Sequence, residues 1–243
     1  MAAENILEVP ALEVKNFAFR YSDGTEALAD INFSVKAGEA LAVIGPNGAG
    51  KSTLLLCLAG LLHGSGQVLI EGEEMTTDNE RTLRRKLALV FQDPDDQLFM
   101  PTLDEDVAFG PANMGLNEEE VQARVKNALT LMRLWEKRKR PPHHLSFGEK
   151  RRAALATAIA QRARILLLDE PTSNLDPASR QELMDYLSAY TEARIIATHD
   201  LELARHVCSK CILISSGKQI ASGDINGILT DKTLLNQHRL AAG

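Results

Sequence analysis

Residues 45–53, Gly-Pro-Asn-Gly-Ala-Gly-Lys-Ser-Thr, constrain the fold more than any other stretch, because this spacing has a physical role at a strand-to-helix junction. The apolar run Ala40-Leu41-Ala42-Val43-Ile44 precedes it, and a helical pattern over residues 51–62 follows. Gly45, Gly48 and Gly50 let the backbone curl so that successive N–H groups face one point, with Pro46, Asn47 and Ala49 between them. The helix beginning near Lys51 adds its positive end, and Lys51 itself supplies a point charge. Ser52, beside Thr53, offers a hydroxyl to Mg²⁺, which keeps several of its waters and bridges phosphate oxygens. The spacing predicts a nucleoside triphosphate site. A glycine-rich turn capping a helix is the plainer alternative, and the flanking strand and helix weigh against it.

Acidic and polar residues recur at the ends of further apolar runs. Ile165-Leu166-Leu167-Leu168 reads as a buried parallel strand, and Asp169 and Glu170 at its C-terminal end lie where open α/β sheets place ligands. Asp169 is a candidate for holding the metal's water shell. Glu170 is a candidate for orienting or deprotonating an attacking water. Ile195-Ile196-Ala197-Thr198 ends on His199, and Leu87-Ala88-Leu89-Val90-Phe91 ends on Gln92. Leu145-Ser146-Phe147-Gly148-Glu149 precedes an apolar helix over residues 153–160, and its S-x-x-E spacing is also that of a capping box. Asp176 before Pro177 is likewise a plausible helix N-cap.

Taken together, residues 45–53, 145–152 and 165–176 resemble the ATPase cassette of ABC proteins, a likeness covering residues 12–223. The resemblance implies an α/β P-loop NTPase fold with an N-terminal antiparallel layer and an inserted helical subdomain. It implies that two cassettes sandwich ATP head to tail, with Ser146 and the Gly148 backbone gripping the γ-phosphate bound to the other protomer and Asp176 in a loop at their interface. Tyr21 matches the aromatic that stacks on adenine, although an edge-strand surface aromatic reads the same way. Gln92 matches a glutamine that contacts Mg²⁺ and water and links the site to the transport partner, and His199 a switch histidine that contacts γ-phosphate. Phe147 and Glu149 depart from the family's usual L-S-G-G-Q, where a glycine and a glutamine stand.

A narrower resemblance rests on residues 90–99 and 106–116 and on Lys150-Arg151-Arg152. These look like the ATPase subunits of energy-coupling factor importers, especially the cobalt and nickel branch. That likeness implies a peripheral subunit at the cytoplasmic face of the membrane, partnered by a transmembrane scaffold and a substrate-binding membrane subunit. The ATPase of another ABC transporter and a non-transport ABC ATPase are the alternatives. A purely regulatory nucleotide-binding module is disfavoured by Glu170 and His199.

Organisation and composition agree. Strands and helices alternate through residue 215, except between Gln92 and Arg162, where the strand signal disappears and helical patterns run over residues 103–109 and 118–134. A single domain is expected: a RecA-like core over about 1–91 and 163–223, a helical subdomain over about 92–162, and a short tail at 224–243. The net charge of -6 gives no nucleic-acid footprint. No run approaches the roughly 20 apolar residues of a membrane span, and Met1-Ala2-Ala3-Glu4 lacks the pattern of a signal peptide. Cys208-Ser209-Lys210-Cys211 has metal or redox spacing but no second such pair, so it reads as reduced structural thiols. The basic run 137–140 beside Trp135 reads as a solvated loop, with lipid headgroups the alternative.

Overall fold

A computed structural model describes residues 9–240; the N-terminal Met1-Ala2-Ala3-Glu4 reading lies outside them. In chain order the elements are β1 (Leu12–Arg20), β2 (Glu26–Val35), β3 (Ala40–Ile44), α1 (Lys51–Leu58), β4 (Ser65–Ile70), β5 (Glu73–Glu74) and α2 (Glu80–Leu83). Next come β6 (Leu87–Val90), α3 (Leu103–Asn113), α4 (Glu118–Leu131), α5 (Phe147–Gln161), β7 (Ile165–Asp169), α6 (Pro177–Ala189) and β8 (Ala193–Thr198). The chain continues through α7 (Leu201–Val207), β9 (Lys210–Ser215), β10 (Lys218–Asp224), α8 (Ile225–Thr230) and α9 (Lys232–Gln237).

The sheet order is β5-β4-β1-β2-β10-β9-β3-β8-β7-β6. Strands β9, β3, β8, β7 and β6 run parallel, whereas β1 pairs antiparallel with β2 and β4. Burial on both faces explains the unbroken apolar runs. Leu41 and Val43 of β3 pack with α1 and the antiparallel layer, while Ala40, Ala42 and Ile44 pack with the helices of the opposite face. The same alternation divides Ile165 and Leu167 of β7 from Leu166 and Leu168. Residues 92–162 contain α3, α4 and α5 and no strand, and their apolar residues join one cluster with the sheet.

Several boundaries differ from the sequence expectation. Helix α1 stops at Leu58 rather than residue 62, because Gly60 takes a left-handed φ of 68° against the Glu80 side chain. Helix α3 continues through Gly110-Pro111 to Asn113 instead of stopping at 109. Interior proline costs a helix about 3 kcal/mol, but here Pro111 is buried, and an added Cβ at Gly110 would sit 2.5 Å from Gln161 Cγ, so the pair permits close packing on α5. Helix α4 ends at Leu131, three residues short of the expected 134, where Arg133 turns left-handed at φ 56°. Helix α5 begins at Phe147, not 153, since its capping box satisfies the first-turn N–H groups upstream of the apolar stretch. Strands β5 and β10 are mostly polar or exposed and gave no apolar signal, and β4 carries only the short apolar run Val68-Leu69-Ile70 after three exposed residues.

The basic run faces solvent in part, with Lys139 and Arg140 exposed, but several of its cations have partners. Lys137 pairs with Glu149, Lys139 with Asp104, and the Arg138 guanidinium lies 4.3 Å from the centre of the Trp135 ring. Cys57, Cys208 and Cys211 are buried free thiols, and burial pushes each up to about 12.

Candidate functional site

The C-terminal ends of β3, β7, β8 and β6 converge on one crevice, where parallel sheets expose their loops. The loop after β3 is set by close approach of neighbouring backbone. A Cβ on Gly45 would lie 2.2 Å from the Ile214 carbonyl oxygen, and one on Gly50, at φ 105°, would lie 2.6 Å from that of Ala27. Gly217 N–H donates to the Ala49 carbonyl and ties the loop to the β9–β10 turn. Lys51, 6% exposed, opens α1 and donates to the carbonyls of Gly45 (2.8 Å) and Pro46 (3.2 Å). A cleft of about 510 Å³ is lined by Tyr21, Asn47, Gly48, Gly50, Lys51, Ser52, Thr53, Gln92 and Glu170, among others. Tyr21 follows β1, which is paired on both sides rather than an edge strand, and its hydroxyl lies 2.9 Å from Thr53 Oγ1.

Glu170 is clamped from β8. Its own N–H donates to the Ala197 carbonyl, the His199 N–H donates to Oε1 at 3.1 Å, and Thr198 Oγ1 donates to Oε2 at 3.0 Å. His199 Nδ1 lies 2.9 Å from Oε1, and Lys51 Nζ lies 3.4 Å from it. Glu170 adopts a left-handed φ of 42°. Such a conformation costs about 1–3 kcal/mol and persists where surrounding contacts over-determine it. These contacts do so here.

Asp169 is buried, and burial raises its carboxyl above the usual range; Ser52 hydrogen bonding, Lys51 and Arg151 pull it down and Glu170 pushes it up. Its Oδ1 is buried without a hydrogen-bond partner. A second cleft of about 520 Å³ brings Ser52, Gln92, Asp169 and Phe147 together. An unpartnered carboxylate oxygen, a serine hydroxyl and an amide oxygen form a hard-oxygen donor set that fits Mg²⁺ better than a softer metal.

The 145–149 segment keeps both halves of its capping box: Ser146 Oγ accepts from Glu149 N–H at 3.3 Å, and Glu149 Oε2 accepts from Ser146 N–H at 3.0 Å. Lys137, through its hydrogen bond, holds the Glu149 carboxyl below the usual range. Phe147 is accommodated in an open position, half-exposed with the Arg151 guanidinium 5.4 Å from its ring centre. Gly148 faces Ser179 and Leu175 across a gap of ordinary contact. Asp176 caps α6 through the N–H groups of Ala178 and Ser179, at 3.1 Å each. Because Phe147 and Glu149 are absorbed locally, Phe147→Gly combined with Glu149→Gln is expected to leave ATP turnover within a few-fold. A rise near 100-fold, about 2.7 kcal/mol of barrier, would instead reveal a degenerate native site.

Sequence reasoning missed three positioning residues. Arg151 is 2% exposed and donates to the carbonyls of Phe91 (3.0 Å) and Ser173 (3.3 Å), so it ties the turn before Gln92 to the turn after Glu170. Gln97 accepts from Phe91 N–H and donates to Thr157 Oγ1 and the Ala154 carbonyl, anchoring the Gln92 loop to α5. Thr198, which also accepts from Asp200 N–H, steers Glu170. Arg151 stands in the run Lys150-Arg151-Arg152, and only its burial distinguishes it from its two neighbours.

Residues 28–173 match the family described as ABC transporter. A putative ABC transporter ATP-binding protein of Streptomyces avermitilis is 49% identical over 96% of this chain and 90% of its own length. The chain belongs to the ABC transporter ATP-binding family. The cassette is also 43% identical to the energy-coupling factor transporter ATP-binding protein EcfA of Carboxydothermus hydrogenoformans, over 96% of this chain and 87% of that protein. Among solved structures, cbiO1 of Clostridium perfringens, part of the ABC transporter complex cbiONQ, superimposes with a TM-score of 0.82 at 37% identity and 96% coverage of both chains. The cassette is therefore an ATPase whose hydrolysis is coupled to transport. Among the described residues no helix is long and apolar enough to cross a membrane.

Proposed function

We propose that this cassette hydrolyses MgATP between two copies of itself, as the peripheral motor of an energy-coupling factor importer for cobalt or nickel ions. The observation that carries the chemistry is the Glu170 clamp: a buried carboxylate aimed by Thr198 and His199 and facing Lys51. In this reading the 45–50 loop and Lys51 hold the outer phosphates, and Tyr21 stacks on the adenine. Glu170 orients the water that attacks the γ-phosphorus and takes its proton as the bond to the bridging oxygen breaks, leaving ADP and inorganic phosphate. Ser52, Gln92 and Asp169 are the residues that would hold Mg²⁺, which when bound neutralises charge on the phosphate oxygens. Ser146 and Gly148 close the site from the other protomer.

Coupling is assigned to a groove of about 360 Å³ lined by Leu61, Phe91, Gln97, Phe99 and Phe109. Of the neighbouring apolar residues Leu98, Phe99 and Met100, Leu98 is buried in the core. Phe99 is 63% exposed and meets Phe109 edge-on at 5.3 Å. It does not dangle: Asp106 Oδ1 accepts the N–H groups of Phe99 and Met100 at 3.0 Å each. An exposed aromatic pair on a fixed loop, adjoining Gln92, is suited to receive a helix of a membrane scaffold. Closure of the helical subdomain on ATP then moves that helix. Phe99→Asp is expected to leave ATP binding by the isolated subunit near normal while abolishing copurification with the membrane complex and uptake of cobalt or nickel. Unchanged copurification and uptake would place the transmission surface elsewhere, and lost ATP affinity would make the loop part of the nucleotide site. The homologous EcfA and the structural similarity to cbiO1 support the importer reading.

A further inference from the structure

Glu149 places a carboxylate in the first turn of α5, the turn that the proposed function directs at the γ-phosphate of the partner's ATP. A negative charge there favours the helix but opposes an anion. Oε2 is engaged by Ser146 N–H, and Oε1 is taken by Lys137. Lys137 is not a freely moving surface lysine. It ends a turn in which its N–H donates to the Leu134 carbonyl at 2.9 Å and its carbonyl accepts from Arg140 N–H at 2.8 Å. The same turn is pinned by Arg138, which packs over Trp135 and whose carbonyl accepts from Asp104 N–H at 2.9 Å. The pair is sheltered as well, with the side chains 34% and 17% exposed.

We propose that Lys137 is a positioning residue of the composite site: it neutralises Glu149 so that the α5 N-terminus, despite its carboxylate, can accept the partner's γ-phosphate. The inference rests on the head-to-tail reading. Two features of the divergent segment then belong together. The carboxylate preserves the capping box, which a glutamine also does, and the lysine cancels the charge that only the carboxylate introduces. An ion pair that is still partly exposed contributes little to folding, so the role is exerted on the anion and not on the fold.

The test is a double-mutant cycle on the full chain, with kcat and KM for MgATP measured for Lys137→Met, Glu149→Gln and the combination. Lys137→Met alone is expected to raise KM about tenfold, a difference of about 1.4 kcal/mol, with kcat changed less than KM and the melting temperature held. In the Glu149→Gln background the same substitution is expected to shift KM by less than about twofold, because no carboxylate remains to neutralise. An equal rise in both backgrounds would overturn the proposal, since Lys137 would then act on the phosphate directly or on the fold. No rise in either would overturn it too. Sizing of Glu170→Gln with MgATP separates the two levels. If that variant dimerises while Lys137→Met added to it dimerises at the same ATP concentration, only the Lys137 inference fails; if Glu170→Gln never dimerises, the head-to-tail reading itself fails.

Discussion

Replacing Glu170 by Gln is expected to lower ATP turnover by roughly 10²–10⁴-fold, the range of a lost general base, while ATP stays bound and the chain accumulates as an ATP-loaded dimer. The amide keeps the shape of the carboxylate. Its oxygen can accept from His199 N–H, where Oε1 now does at 3.1 Å, and its nitrogen can face Thr198 Oγ1, so the strained turn at φ 42° retains its supports. What it cannot do is take a proton from water. Phosphate release and a sizing column run with and without MgATP measure the two halves of the effect. A variant that turns over at the parental rate would remove Glu170 from the reaction. One that binds ATP yet stays monomeric would count against the composite site.

The second large effect is expected from Lys51→Ala, and it falls on binding. Lys51 is buried, and its ammonium is held by two loop carbonyls and faces Glu170 at 3.4 Å, so it is already organised at the mouth of the 45–50 loop. Truncating one member of a buried, hydrogen-bonded charged contact costs about 2–5 kcal/mol. That corresponds to ATP binding weaker by roughly 30-fold to several thousand-fold. Titration calorimetry with MgATP, alongside a melting curve to establish that the variant folds, reads this directly. An affinity within threefold of the parent would show that Lys51 serves the apo loop alone. The two variants therefore separate steps: one blocks chemistry after binding, the other blocks binding.

Much of the architecture was legible because its signals are local. The runs at 40–44, 165–168 and 195–198 are apolar on both strand faces, and β3, β7 and β8 are buried on both faces. The loop glycines, Lys51 and the polar residues closing those strands followed from chain order, and the structure brings Lys51, Thr198 and His199 each onto Glu170. What stayed hidden depends on partners distant in sequence. The half-exposed strand β4 and the polar strand β10 form because β1 and β9 supply ladder partners. Helix α3 runs through Gly110-Pro111 because α5 lies against it. Arg151, Gln97 and Lys137 look like ordinary polar residues until the carbonyls and carboxylate they reach are in place.

The sequence by itself determined which residue types stand at each strand end, since a glycine-rich loop, a carboxylate pair and a histidine occupy fixed short spacings from the apolar runs. Only the tertiary structure decided how those ends act on one another. Strand β8 inserts between β3 and β7, and that order, which no local pattern encodes, places Thr198 and His199 on Glu170 and sets Glu170 against Lys51. The same holds for charge. Whether Lys137 is a solvated cation or the counterion of Glu149 depends on a turn packed against a helix, because electrostatic partners are chosen by distance in space.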